Sequence, residues 1–284
     1  MPLASSKPEL TIRELESVED LRKALAVERE VWQPDDADVT PLTLAVATRA
    51  AGAMWLGAFD GPRLIGFAFA LPSIDHGRCG FHSHMLGVPE AYRGKGVGKF
   101  LKIAQRQRAL ALGVKTMTWT FDPLRAPNAH FNFSKLGVTS NDYRIDFYGP
   151  RTSSPLHVNG TDRLWLTWEM DEPRVEDRLH GKDSRAEVLD ALAHLEPLVR
   201  FNGNGRPVER DFYVALARQR IAIEIPGDIG SIEKNNPPLG HEWRVATRRA
   251  FTAAIEAGFT VTEFCRSVRG QQGPGAYLLE KVER

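Results

Sequence analysis

Six consecutive residues, Arg93-Gly94-Lys95-Gly96-Val97-Gly98, carry the strongest chemical signal in this 284-residue chain. Glycines at the mouth of a helix let the backbone approach a ligand closely. They also leave several amide N–H groups pointing outward beside the positive end of the helix dipole, an arrangement suited to phosphate. Two familiar phosphate loops fit poorly. A P-loop needs Lys-Ser or Lys-Thr after its last glycine, and Lys99-Phe100 stands there. A dinucleotide fold wants its glycines in the first βα unit and an acid about 20 residues on. Here at least two strand candidates precede the loop, and Met117 to Thr120 offers no acid, although Asp122 follows a little later. What remains is Arg-x-x-Gly-x-Gly, matched by Arg93, Gly96 and Gly98, after a strand ending Leu86-Gly87-Val88.

Other chemistry-bearing residues flank this loop. His82 and His84 alternate onto one face of the preceding strand. Either could act as a general base, directly or through water, because imidazole titrates near neutrality; otherwise one of them is a hydrogen-bonded structural histidine. Asp122, Arg125 and Asn128 follow a later strand, where α/β enzymes place binding groups. With Arg163 they form a candidate substrate set, since a guanidinium is the natural fork for a carboxylate. The alternative for each arginine is a solvated charge or a salt bridge, and Asp162-Arg163 could be a local pair. Trp119, Trp165, Phe131 and Phe133 read as core. Metal binding is not expected: Cys79 stands too far along from the histidines and no further ligand is placed.

The elements that must position these residues follow from periodicity and punctuation. Leu10 to Leu15 reads as a strand, with Ser17, Glu19 and Asp20 opening a helix over Val18 to Val31. A second helix spans about Pro41 to Ala51. Met54 to Phe59 and Leu64 to Leu71 are strands joined at Asp60-Gly61-Pro62, the second kept slim by Gly66, Ala68 and Ala70. His82 to Val88 is the strand before the loop. On the helix after it, Val97, Phe100, Leu101, Ala104, Ala111 and Leu112 share an apolar face opposite Lys99, Lys102 and Arg106. Val114 to Phe121 is a strand, Ala129 to Leu136 a short helix ended by Gly137, and Tyr143 to Tyr148 and Leu164 to Met170 closing strands. Asp171 to Asp183 reads as a charged linker. Beyond it come helices over Ala186 to Val199 and Gly240 to Ala257, and strands over Arg220 to Ile225, Phe259 to Cys265 and Tyr277 to Val282.

The Arg-x-x-Gly-x-Gly loop resembles the coenzyme A pyrophosphate loop of the GNAT family of N-acyltransferases. A second motif supports this: Phe133-Ser134-Lys135-Leu136-Gly137-Val138, with Ala129 upstream, resembles the family's helix after its splayed fifth strand. The resemblance covers about Thr11 to Met170. It extends to a subgroup marked by Trp119-Thr120-Phe121-Asp122-Pro123-Leu124 and Thr161-Asp162-Arg163, some of whose members are thought to acylate amino acids with succinyl-coenzyme A. The resemblance implies a GNAT fold, a mixed, splayed β-sheet flanked by helices, over residues 1–170. It implies transfer from acetyl-coenzyme A or another acyl-coenzyme A, succinyl included, to a small-molecule amine or amino acid. It places Leu86 and Val88 near the pantetheine and Arg93, Gly94, Lys95, Gly96, Val97 and Gly98 at the pyrophosphate. The family's tyrosine acid is replaced by Phe133, which leaves thiolate protonation to Tyr143, His130 or water. It also keeps open a reading as a non-catalytic acyl-coenzyme A sensor.

Composition sets the outer bounds. The net charge of +1 and 42% hydrophobic content describe an ordinary soluble protein with no implied nucleic-acid or membrane partner. Two cysteines, far apart, suit a reduced, cytoplasmic setting. MPLASSKPEL has no apolar run and reads as no secretory signal. A homo-oligomer is left open. Residues 184–284 form a C-terminal α/β region whose strand, loop, helix, Gly258, strand order echoes the first half. They are expected to be either a degenerate GNAT-like half or a common α/β unit.

Overall fold

The computed structural model describes residues 10–75, 77–150, 152–182, 185–270 and 273–281. Residues 1–9, which carry most of the signal-peptide reading, lie outside these, as do Asp183 of the expected linker and Val282 of the last strand. The chain divides into two compact units, one running to Thr118 with Ser153–Leu156, the other holding Trp119–Thr152 and the chain from His157 onward.

The first unit contains β1 (Leu10–Glu14), α1 (Val18–Trp32), α2 (Leu42–Ala50), β2 (Met54–Asp60), β3 (Arg63–Asp75), β4 (Arg78–Gly87), α3 (Val97–Ala111) and the first residues of β5 (Thr116–Phe121). Its sheet runs β1-β2-β3-β4-β5, antiparallel except for the parallel β4–β5 pair. Ser17 Oγ accepts from the Asp20 amide and so caps α1. The two middle strands bury both faces. Trp55, Phe59, Phe67 and Phe69 pack with Leu21, Ala24, Leu25 and Ala45 of α1 and α2. Leu56, Ala58, Ile65 and Ala68 pack with Val97 and Leu101 of α3. Gly66 is needed here: a Cβ on it would stand 3.1 Å from the Gly87 carbonyl and from Val97.

Helix α3 departs from its expected faces. Phe100 and Leu112 are exposed, whereas Lys102 and Gln105 are buried with Val97, Leu101 and Ala109. The helical stripe is rotated toward two polar residues, which hydrogen bonding to β4 makes tolerable. Strand β4 is also irregular. Met85 pairs with Phe69 and Ser83 with Ala70, so His84 is the extra residue of a β-bulge. Its register with β5 consists of Phe81↔Met117 and His82↔Thr118, while its ladder with β3 continues to Gly87.

The second unit takes the rest of β5, then α4 (Ala126–Ala129), which runs into a π-helical turn over His130–Leu136 closed by Gly137 at φ 75°. After these come β6 (Tyr143–Arg144), β7 (Arg163–Glu169), α5 (Pro173–Leu179), α6 (Arg185–Ala193), β8 (Val199–Phe201), β9 (Pro207–Glu209) and α7 (Phe212–Leu216). The chain finishes with β10 (Arg220–Ile225), α8 (Ile229–Asn235), α9 (Pro237–Glu256), β11 (Phe259–Cys265) and β12 (Gly275–Lys281). The expected strand Tyr143 to Tyr148 is two residues long, because the chain turns at once with Asp146 at φ 46°. The expected helix to Val199 stops at Ala193; Pro197 blocks its continuation and Val199 begins β8. The expected linker holds α5, whose Val175 and Arg178 are buried and whose Arg174 and Arg178 pair with Glu263.

The C-terminal region is α/β, with a three-stranded antiparallel sheet ordered β10-β12-β11. The expected echo lies elsewhere than the sequence suggested. β4 and β5 are direct parallel neighbours, but β12 separates β10 from β11. The strand–helix–strand–strand order with the last strand inserted matches β5-β7-β6 instead. Ser140 and Val261 exchange backbone bonds of 3.1 and 2.7 Å, joining the two three-stranded arrangements of this unit.

Candidate functional site

In the first unit, β4 feeds the glycine loop and α3. Gly94 and Gly96 have φ of 75° and 85°, conformations that side chains rarely adopt, and Gly96 is the N-cap of α3 with no side chain to cap it. Val97, Gly98 and Lys99 form the first turn of the helix, the end at which its dipole is positive. Arg93 to Gly96 are exposed, so this terminus is open to solvent. Arg93 Nε donates to the Val88 carbonyl at 3.0 Å, and Lys95 Nζ lies 5.2 Å from the Tyr92 ring centroid. The Val97 side chain is in the core and anchors the start of the helix. Leu86 and Val88 pack at the edge of the same cluster.

His82 Nδ1 lies 3.0 Å from Thr118 Oγ1, and the His82 and His84 rings are 6.4 Å apart. His84 reaches solvent from the bulge, yet the surrounding protein mass thins its hydration and lowers its pKa. Its imidazole is therefore neutral at physiological pH and able to take up a proton.

The second unit gathers a charged cluster, and three of the expected substrate residues, Asp122, Arg125 and Arg163, belong to it. Asp122 accepts from Arg244 Nη2 at 2.9 Å and lies 3.4 Å from Arg125 Nε. Burial pushes its carboxyl up, but the two arginines more than offset this and hold it below the ordinary range. Arg125 is an ion-pair member, with Nη2 2.7 Å from Glu233 Oε2. Arg163 is different. It is 6% exposed, and among the described residues no carboxylate pairs with it. Its Nη1 donates to the Asp162 carbonyl at 2.8 Å and its Nη2 meets His157 Nε2 at 2.7 Å. Since a guanidinium only donates, His157 Nε2 is the acceptor and Nδ1–H faces Thr152 Oγ1 at 2.6 Å. Burial and the Arg163 charge lower the His157 pKa to about 4, consistent with a neutral ring. The Asp162 carboxylate is committed to Arg248 and Tyr143 rather than to Arg163.

Tyr143 donates to Asp162 Oδ2 at 2.7 Å, and burial with that carboxylate raises its pKa well above the ordinary value. It is thus a weaker acid than a free phenol. Phe133 is fully buried, edge-on to Phe121 and Tyr277, with no hydroxyl to offer. Asn128 is exposed on α4, and His130 opens the π-helical turn. Arg244, Glu233, His157 and Asp162 were not expected as members of the cluster. Arg244 had one sequence signal: it shares a stripe of α9 with Gly240, Thr247, Phe251 and Ala254, all buried. Among the described residues no group of three His, Cys, Asp or Glu side chains is placed to hold a metal ion. No described helix is long and apolar enough to cross a membrane.

With this geometry in view, residues 15–137 match the family model for the acetyltransferase (GNAT) family. Over these residues, somewhat under half of the chain, the protein is similar to the GNAT acetyltransferases. No curated protein matches the chain. Among solved structures, it is similar to the ribosomal-protein-S18-alanine N-acetyltransferase from Escherichia coli at 17% identity and TM-score 0.46, covering 57% of this chain and 95% of that one. It is similar to aminoglycoside 6'-acetyltransferase type Ii at 18% identity and TM-score 0.45, covering 57% and 98%. A GNAT family acetyltransferase from Brucella melitensis, in complex with acetyl-CoA, is similar at 20% identity and TM-score 0.35, covering 41% and 78%.

Proposed function

We propose that the GNAT domain transfers an acyl group from an acyl-coenzyme A to the amine of a small molecule. The observation that carries this is the solvent-open start of α3, where Gly94 and Gly96 hold the backbone in left-handed conformations and no side chain caps the helix, behind a bulged strand. The amides of Val97, Gly98 and Lys99 would hold the pyrophosphate, with Arg93 and Lys95 adding charge and Leu86 and Val88 lying beside the pantetheine. His84, neutral and solvent-reaching, would take the proton of the attacking amine, and backbone N–H groups of β4 would stabilise the thioester oxygen as it gains charge. His82 is held by Thr118 and serves as its neighbour. Phe133 has no hydroxyl and Tyr143 is a weaker acid than a free phenol, which leaves protonation of the leaving thiolate to His130 or water.

The acceptor we infer is an amine that also carries a carboxylate, an amino acid among them. The support is Arg163, a buried fork that forms no ion pair among the described residues, although the charges of Asp122 and Asp162 reach it, whereas Arg125 is paired with Glu233 and Asp122. Acetyl and succinyl donors both remain in this proposal, as does a reduced cytoplasmic setting for the two free cysteines. The missing hydroxyl at Phe133 favours one rival, a non-catalytic acyl-coenzyme A sensor. Release of free thiol from acetyl- or succinyl-coenzyme A across a panel of amines decides between them. Binding without any thiol release would establish the sensor.

A further inference from the structure

Helix α3 buries two polar side chains against β4, with Lys102 at 2% and Gln105 at 0% exposure. Lys102 Nζ donates to Ser83 Oγ at 2.8 Å, and Ser83 Oγ donates onward to Gln105 Oε1 at 3.0 Å. Gln105 Nε2 finds no partner among the described residues, and burial disfavours the charged form of Lys102. Apolar side chains would fill this space at lower cost, so stability alone does not account for the set. An amine and hydroxyl at this distance also resemble a lysine-activated serine nucleophile. Both groups lie buried beneath α3, however, where no substrate reaches them.

Their place in β4 is informative. Ser83 directly precedes His84, the extra residue of the bulge, and follows His82, where the register with β5 ends. A one-residue slip that removed the bulge would turn Ser83 to the opposite face, away from both Lys102 and Gln105. Buried polar groups are best attested in this registry role. We propose that Lys102, Ser83 and Gln105 clasp β4 in its bulged register, making Lys102 a positioning residue for His84. This rests on the reading of His84 as the proton acceptor.

The test compares Lys102→Met, Ser83→Ala and the double variant. Each single change should lower kcat at least roughly tenfold, leave coenzyme A affinity within about twofold, and shift the His84 ring resonances. The double variant should be no worse than the worse single, because the residues act as one unit. Wild-type kcat with unmoved His84 resonances overturns the proposal, as do losses that multiply in the double variant. Should Lys102→Met fail to fold, Ser83→Ala decides alone. His84→Ala separates the two claims, since wild-type turnover there removes His84 from the transfer step. The clasp is then judged by amide exchange at residues 83–87 in Ser83→Ala: faster exchange sustains it and unchanged exchange ends it.

Discussion

Replacing Arg163 by methionine keeps most of the side chain's volume and removes its charge. Arg163 is the one cluster arginine whose contacts are a backbone carbonyl and a neutral imidazole, with the Tyr148 ring 5.2 Å away. A ligand carboxylate at about 4 Å would gain about 4 kcal/mol of gross attraction at an effective dielectric near 20. Desolvation offsets part of this, leaving about 1.5–3 kcal/mol for a charged hydrogen bond. The assay is kcat/KM for an amino acid against its own carboxamide, followed by thiol release. Wild type should prefer the acid, and Arg163→Met should reduce that preference roughly ten- to hundredfold, with Arg163→Lys recovering part of it. Arg125→Ala is the contrast. It removes the ion pair of the buried Glu233, which keeps the Asn159 amide at 3.2 Å. It should therefore cost about 2–3 kcal/mol of stability, a buried-pair loss discounted for the 24% exposure of Arg125, and leave the preference nearly intact. An acid-to-amide preference unchanged in Arg163→Met would refute the carboxylate reasoning.

Three further outcomes follow from the same geometry. The His157 pKa of about 4 lies below its unfolded value of about 6.5, so the unfolded chain binds more protons between these limits. Stability should therefore be lost as pH falls through that window; the full shift of about 3 kcal/mol is reduced by solvent screening to about 1–2, and His157→Gln should flatten the thermal-melting profile there. Tyr143→Phe should cost about 1 kcal/mol in denaturant titrations, because Asp162 keeps Arg248 and the Asp146 amide, and turnover should stay within a few-fold. A hundredfold fall in kcat would make Tyr143 the acid after all. Gly96→Ala should cost about 1–2 kcal/mol for a side chain at φ 85°, seen as a lower melting temperature, with coenzyme A affinity falling alongside.

The loop was legible because its signal is local: glycine spacing, an arginine and a helix start within six residues. The strands and helices of the first unit were legible for a related reason, since alternation and capping report burial directly. What the sequence concealed depends on distant partners. Arg125 meets Glu233, 108 residues later, and Asp122 meets Arg244, 122 residues later. Local reading assigns such residues to solvent or substrate, and only the folded chain shows which acid each one finds. Lys102 was misread for the same cause: a lysine on a helix reads as solvated until a buried serine accepts from it. The bulge at His84 and the π-helical turn at His130 had no signature, because each is one residue out of step with a regular pattern.

The central claim is that the start of α3 holds the pyrophosphate of coenzyme A. Calorimetric titration of coenzyme A into the wild-type protein and into Gly98→Glu tests it most directly. Wild type should bind with a clear heat. The Gly98→Glu protein, folded by circular dichroism, should show none, because its carboxylate would occupy and repel the pyrophosphate position. Equal affinity in the two proteins would contradict the account.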